Sequence, residues 1–295
     1  MADLTISGPI RGAPPWLASL ARGGPRLWWG GALVGILFMV ALLAPLLAPH
    51  DPIEQDLLST QLPPAWMQGG DLTYPLGTDS LGRCVLSRLM FAARTAVAVA
   101  LIAASLAAAI GIALGLIAGI FGGWIDQGVS RLVDVWMAFP PVLLSIVLAA
   151  VIGAGLTSVI AAIVVVDWTR FARVIRAETM VQLQRDYAAA ARVLGLTGGQ
   201  VLRLEILPNL VPLIVTLLAV EMGIAILVEV ILSFVGISVA GDTPTWGGMI
   251  AEGRQIVYQA PWIMALPIGC IILSLIGFNL LGDGLRKTLD PVQRR

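Results

Sequence analysis

Long runs without a charged residue are the feature that most limits how this chain can fold. Residues 28–48, 95–125 and 135–166 contain no Asp, Glu, Lys or Arg. A helix needs roughly 20 apolar residues to cross a hydrocarbon core about 30 Å thick. Only 12% of the residues are charged, whereas soluble domains have about 25%. The sequence therefore predicts an all-α integral membrane protein.

The charges between the apolar runs favour six membrane spans over five. Residues 135–166 are too long for one helix, so we divide the run at Gly153-Ala154-Gly155. Pro140 and Pro141 then fall within the third span and are expected to kink it. With a cytoplasmic amino terminus, six spans keep 14 of the 18 basic residues in the cytoplasm, which agrees with the positive-inside rule. The predicted spans are 28–48, 95–125, 129–152, 157–175, 210–235 and 262–281.

This topology divides the chain into segments on the two sides of a membrane. Residues 1–27 and 286–295 are predicted to be cytoplasmic, and residues 28–285 form the transmembrane domain. The predicted outer loops are 49–94 and 236–261, and a cytoplasmic loop covers 176–207. Within the second span, Gly111, Gly115 and Gly119 recur at every fourth position, a spacing that predicts close helix packing in lipid.

Several classes of chemistry are excluded by composition. His50 is the single histidine, and Cys84 and Cys270 lack CxxC spacing, so we expect neither a metal site nor a His-dependent triad. The formal net charge is zero, and we expect no nucleic-acid partner. No GxxxxGK[ST] phosphate loop occurs. We therefore expect no enzyme activity and no cofactor in this chain.

A polar stretch, DYAAAARVLGLTGGQ, begins at Asp186 and lies in the predicted cytoplasmic loop. Its alanines predict a short helix from Tyr187 to Leu194 that ends at Gly195. Such a helix either offers a smooth surface on which another protein packs or is an ordinary connector. Pro208 and Pro212 then mark the return to the membrane.

This loop resembles the EAA loop of ABC importer permeases. The resemblance is carried by Ala189-Ala190-Ala191, by Gly195 and by Ile206-Leu207-Pro208, at the spacing of that family. It implies that the loop is a coupling helix, with Tyr187, Leu207 and Pro208 also contributing, and that it docks on a cytoplasmic ATPase.

Further motifs resemble the second, C-type permease of dipeptide, oligopeptide and nickel importers. That resemblance implies the type I importer fold and a B-type permease partner in a heterodimer. It also implies two ATPase subunits that bind ATP and Mg, and an extracytoplasmic substrate-binding protein. The motifs are PLGTDSLGR from Pro75, LSFVG from Leu232, PTWG from Pro244, AEGR from Ala251, APW from Ala260 and FNLLGDGLR from Phe278.

The chain departs from the family pattern at two positions. Ala189 replaces the glutamate after which the EAA loop is named, so an ion pair with the ATPase at that position is lost. Cys84 stands where relatives usually have aspartate, which leaves a free thiol in the predicted outer loop.

Two carboxylates, Glu221 and Glu229, lie well inside a predicted span. A charge in the middle of the bilayer is costly, so both are expected to face protein or water. They either pair with a hydroxyl, a backbone group or a cation of the partner permease, or line the substrate path and attract a cation. Asp167, with Arg170 and Arg173, is expected to form an interfacial ion-pair cluster rather than a gate.

We therefore predict a permease subunit of an ABC importer for dipeptides or oligopeptides. Within the same family, the alternative is an importer of nickel or another metal chelate. A rival from a different class is a stand-alone secondary transporter that uses Glu221 and Glu229 as a proton relay. A membrane-embedded enzyme is a further, weaker possibility, because the sequence shows no catalytic constellation.

Overall fold

The computed structural model describes residues 24–238 and 242–289, and these residues are helical or form loops between helices. The predicted segments 1–27 and 286–295 therefore lie largely outside the described residues. The helices are α1 (Pro25–Leu47), α2 (Val85–Phe121), α3 (Gly123–Met137), α4 (Pro141–Ile152), α5 (Leu156–Leu183), α6 (Asp186–Val193), α7 (Gly198–Val201), α8 (Leu207–Phe234), α9 (Trp246–Gln255) and α10 (Trp262–Leu289).

Four helical segments in this part of the chain are long and apolar enough to cross a membrane. They are Pro25–Leu47, Val85–Phe121, Gly198–Phe234 and Trp262–Leu289, and the pair α3 and α4 makes a fifth if it is counted as one span. Helix α5 has 28 residues but carries Asp167, Arg170 and Arg173. The all-helical membrane architecture is confirmed, whereas the count of six spans is not.

The third predicted span is broken rather than kinked. Helix α3 ends at Met137, α4 begins at Pro141, and their axes differ by 86°. Pro140 has an extended backbone (ψ 121°), and two successive prolines supply no backbone N–H to continue the helix. By contrast, the division between α4 and α5 falls as expected, with Gly153 and Gly155 both at positive φ.

Helices α2 and α5 pack with their backbones in direct contact. A Cβ added to Gly111 would lie 2.9 Å from the Ala172 nitrogen, and one added to Gly115 would lie 2.7 Å from the Ala172 oxygen. At Gly119 the added atom would be 2.8 Å from the Thr179 Cβ. The close packing predicted from glycines at every fourth position is confirmed, because no side chain fits between these helices.

The other long helices pack on this pair or on one another. Helix α10 packs on α1 through Gly284, where an added Cβ would lie 2.6 Å from the Leu27 Cα, and on α8 through Gly223 and Phe278. Ala103 of α2 and Ala225 of α8 are fully buried in one apolar cluster. Helices α6 and α9 lie near opposite ends of α8, so we call these ends the α6 end and the α9 end.

The glycine contact between α2 and α5 predicts a sharp response to one added methyl group. Gly115→Ala should force the helices apart and lower the melting temperature of the purified protein by several degrees, since overpacking costs about 1–3 kcal/mol. Gly35→Ala is the control, because its added Cβ meets nothing within 4 Å. Thermal unfolding in detergent measures both variants, and equal melting temperatures would show that the contact is slack.

Candidate functional site

At the α6 end, the short helix α6 contains the alanines from which it was predicted. Helix α6 covers Asp186–Val193, within one residue of the prediction. It ends in a Schellman motif, in which the Leu196 amide donates to the Ala191 oxygen at 3.1 Å and the Gly195 amide to the Arg192 oxygen at 3.0 Å. Gly195 has φ +87°, a conformation that favours glycine.

One face of α6 is fixed to the long helices. Ala188 and Ala191 are buried against Ile175 of α5 and Leu210 of α8. The Tyr187 hydroxyl donates to the Gln182 side chain, and burial raises the pKa of this phenol. The helix is therefore anchored by its alanines and by Tyr187.

The opposite face of α6 is open in the described part of the chain. Ala189 and Ala190 are exposed, and the apolar side chains that follow them, Val193 and Leu194, are 88% and 81% exposed. Large apolar groups exposed next to small ones are typical of a protein-binding surface.

From α7 onward, the chain continues into α8 without leaving helical structure. Thr197 caps α7 and exchanges hydrogen bonds with Gln200 in a capping box. A π-helical turn, Leu202–Ile206, then leads directly into α8, where Leu207 and Pro208 form the first turn. The residues predicted for coupling thus belong to one continuous assembly with α8.

At the α9 end, charged residues from distant parts of the sequence meet. Arg83 donates to Asp79 at 2.7 Å and to Glu252 at 2.9 Å. Arg88 pairs with Asp79 and donates to both Glu252 oxygens, at 2.6 and 3.1 Å. Asp79, Arg83 and Arg88 are buried. The four groups, which we call the outer cluster, carry no net charge.

The outer cluster belongs to a wider attachment of α9 to the bundle. Trp246 is buried, and its indole donates to the Leu89 oxygen of α2 at 3.3 Å. A Cβ at Gly253 would lie 2.9 Å from the Met264 nitrogen of α10. A cavity of about 150 Å³ remains beside the cluster, and Ser233, Ser238 and Thr245 contribute hydroxyls to its lining. Helix α9 thus joins α2, α8 and α10.

The predicted path residue Glu229 lies beneath this cavity and is 1% exposed. The hydroxyl of Ser233 donates to its carboxylate, and that of Ser238 does so at 3.4 Å. Of the partners expected from the sequence, Glu229 therefore has a hydroxyl, and this hydroxyl belongs to the same chain. Glu229 does not face open space in this conformation.

Glu221 lies in a separate group between α5 and α8. Its carboxylate is 3.8 Å from the Arg170 guanidinium and close to Asp167. Arg173 instead pairs with Asp134 of α3 at 3.0 Å. The expected ion-pair cluster of Asp167, Arg170 and Arg173 is thus divided between two groups, and the structure does not bring Glu221 and Glu229 together.

The outer cluster was not predicted from the sequence, although two of the motifs contain three of its four residues. The motif from Pro75 contains Asp79 and Arg83, and the motif from Ala251 contains Glu252. Arg88 lies outside both motifs, and the pairing was signalled only by the presence of opposite charges. Cys84, expected to be a free thiol, is free and buried.

Comparison with known proteins agrees with this architecture. The family model "Binding-protein-dependent transport system inner membrane component" matches residues 111–295. A second model, "N-terminal TM domain of oligopeptide transport permease C", matches residues 25–64. The chain belongs to this family of inner-membrane components of binding-protein-dependent transport systems.

Curated relatives narrow the resemblance to the C-type permeases. The dipeptide transport system permease protein DppC of Haemophilus influenzae is 42% identical over 88% of this chain and 90% of its own length. The di/tripeptide permease DppC of Pseudomonas aeruginosa is 39% identical over 88% of each chain. The glutathione permease GsiD of Shigella dysenteriae is 38% identical over 87% of this chain and 83% of its own length.

Removing one arginine from the outer cluster should destabilise the α9 end. Arg88→Gln removes one of the two buried cations that pair with Asp79 and Glu252. Breaking a buried pair in this way costs about 3–5 kcal/mol. We expect a lower melting temperature and faster proteolysis within residues 51–84. Arg94→Gln is the matched control, because Arg94 is exposed on the same helix. Equal effects of the two substitutions would contradict a structural role for the cluster.

Proposed function

We propose that this chain is the C-type permease subunit of an ABC importer for dipeptides or oligopeptides and forms half of the translocation pore. The observation that carries the proposal is the exposed face of α6, at the position of the EAA-like loop, in a chain whose relatives are named for dipeptide, di/tripeptide and glutathione transport. These names favour a peptide over a metal chelate as the substrate.

In the proposed topology, six spans cross the inner membrane and both termini are cytoplasmic. Helix α5 is the fourth span in spite of its charges, because Asp167 is buried and Arg170 contacts Glu221. The broken pair α3 and α4 forms the third span. The α6 end then faces the cytoplasm and the α9 end faces outward.

The proposed partners are a B-type permease, two ATPase subunits and an extracytoplasmic binding protein. The ATPases bind ATP and Mg and carry out hydrolysis. Their closure displaces α6, and because the anchored face of α6 packs on α5 and α8, both long helices move with it. Binding-protein docking at the α9 end and ATP-driven closure at the α6 end then alternate access to the pore.

Crosslinking tests which face of α6 meets the ATPase. A cysteine placed at exposed Ala190, in a background with Cys84 and Cys270 replaced by serine, should capture a P-loop ATPase from native membranes. A cysteine at fully buried Ala188 is the control and should capture nothing. If Ala190 captures no ATPase while the second permease is retained, α6 is not the coupling helix. Loss of every partner would favour the stand-alone transporter.

We also propose that Glu221 and Glu229 belong to the translocation path. Glu229 would meet substrate in a state of the transport cycle other than this one, because it is buried here. Glu229→Gln keeps an acceptor for the Ser233 hydroxyl, so the complex should assemble normally while peptide uptake falls severalfold. Uptake into proteoliposomes measures the effect, and unchanged uptake would remove Glu229 from the path.

A further inference from the structure

Arg170 is a cation with unused hydrogen-bonding capacity in the middle of α5. Its side chain is 39% exposed, and its ion-pair contact within the described residues is a long one, 3.8 Å to the Glu221 Oε2 atom. A guanidinium carries five N–H donors in a planar fork. Arg173, one turn further along α5, has a hydrogen-bonded carboxylate at 3.0 Å, whereas Arg170 has a loose contact that leaves its fork available.

Two buried acids lie beside Arg170 but do not satisfy its hydrogen-bond donors. Asp167 and Glu221 are 3% and 4% exposed, and their carboxyl groups lie close to each other. A buried Glu221 oxygen still has no hydrogen-bond partner among the described residues.

The depth of Arg170 restricts what its exposed side can face. It contacts Glu221, which lies near the middle of the apolar helix α8. A guanidinium facing lipid at this depth costs about 3 kcal/mol or more. Its exposed side therefore faces a protein surface or a water-filled path. A planar fork in such a place suits a carboxylate, which it can bind through two parallel hydrogen bonds.

We infer that Arg170 is a binding site for the terminal carboxylate of a peptide in the translocation path, with Asp167 and Glu221 as the residues that position it. The inference rests on the proposed importer function and names the chemical group of the substrate that the transporter recognises. Every unmodified peptide has this carboxylate whatever its side chains, so such a site tolerates varied sequences while selecting free peptides.

The test compares two probes that differ only in this group, alanyl-alanine and its carboxy-terminal amide. The complete transporter with its binding protein is reconstituted in proteoliposomes, and uptake by each variant is divided by uptake of the same probe by the unsubstituted transporter. This ratio cancels differences in delivery by the binding protein. Arg170→Gln should raise the KM for alanyl-alanine about tenfold or more, since hydrogen bonds to charged groups are strong, and change that for the amide less than about twofold.

Two further variants separate recognition from structure. Arg170→Lys keeps the charge but loses the fork, so its KM for alanyl-alanine should lie between those of the unsubstituted protein and Arg170→Gln. Arg173→Gln is the matched control and should affect both probes equally. Binding of both probes to the complex in nanodiscs, measured without the binding protein, should follow the same order. This binding measurement replaces the uptake measurement if the binding protein does not deliver the amide.

Other outcomes would overturn the inference. An equal loss for both probes would mean that Arg170 supports the fold or the conformational change. Loss of the partner permease from the Arg170→Gln complex would mean that Arg170 is an interface residue. Uptake of alanyl-alanine by the unsubstituted transporter establishes the importer function separately, so failure of this site and failure of the proposed function are distinguishable.

Discussion

Direct backbone contact between α2 and α5 is the constraint on which the arrangement of the other helices depends. In lipid, apolar side chains gain little by leaving the bilayer for one another, so helices associate through close packing and polar contacts. The glycines at 111, 115 and 119 allow that approach along three successive turns. Helix α5 is thereby held beside α2 although it carries charged residues in its middle. With α5 fixed, Asp167 and Arg170 face α8, and the carboxylate of Glu221 has its counter-charge within the same chain.

Two of the charged groups differ in how closely their members pair. In the outer cluster each arginine has close carboxylate partners, and the group is surrounded by α2, α9 and the preceding loop. Such close pairing fixes the position of the segments that it joins, because breaking it leaves a buried charge without a partner. Between α5 and α8 the pairing is loose, and one arginine is half exposed. The first arrangement suits a structural joint, whereas the second leaves hydrogen-bond donors of Arg170 available.

Local features were predictable from sequence, and distant contacts were not. The glycine spacing in α2, the break near Gly153 and the end of α6 at Gly195 each depend on residues within a few turns of one another, and the structure confirms them. The 86° bend was underestimated because one proline kinks a helix, whereas Pro140 and Pro141 together end it. Asp79 and Glu252 are 173 positions apart, and no periodicity in a single sequence connects them. The same holds for Arg170 and Glu221, whose pairing depends on how α5 turns against α8.

The uninterrupted winding from α7 through the π-helical turn into α8 has a mechanical consequence. Residues Gly198–Phe234 form a single segment of 37 residues, about 55 Å long at helical rise. A rod of this length acts as a lever, and tilting it by about 10° around one end moves the other by about 10 Å. If α6 is the coupling helix that we propose, a displacement at the α6 end is transmitted along this segment to the end where Glu229 and the hydroxyl-lined cavity lie. Because helical structure continues from α7 into α8, such a displacement would tilt the whole segment instead of bending a loop between the two helices.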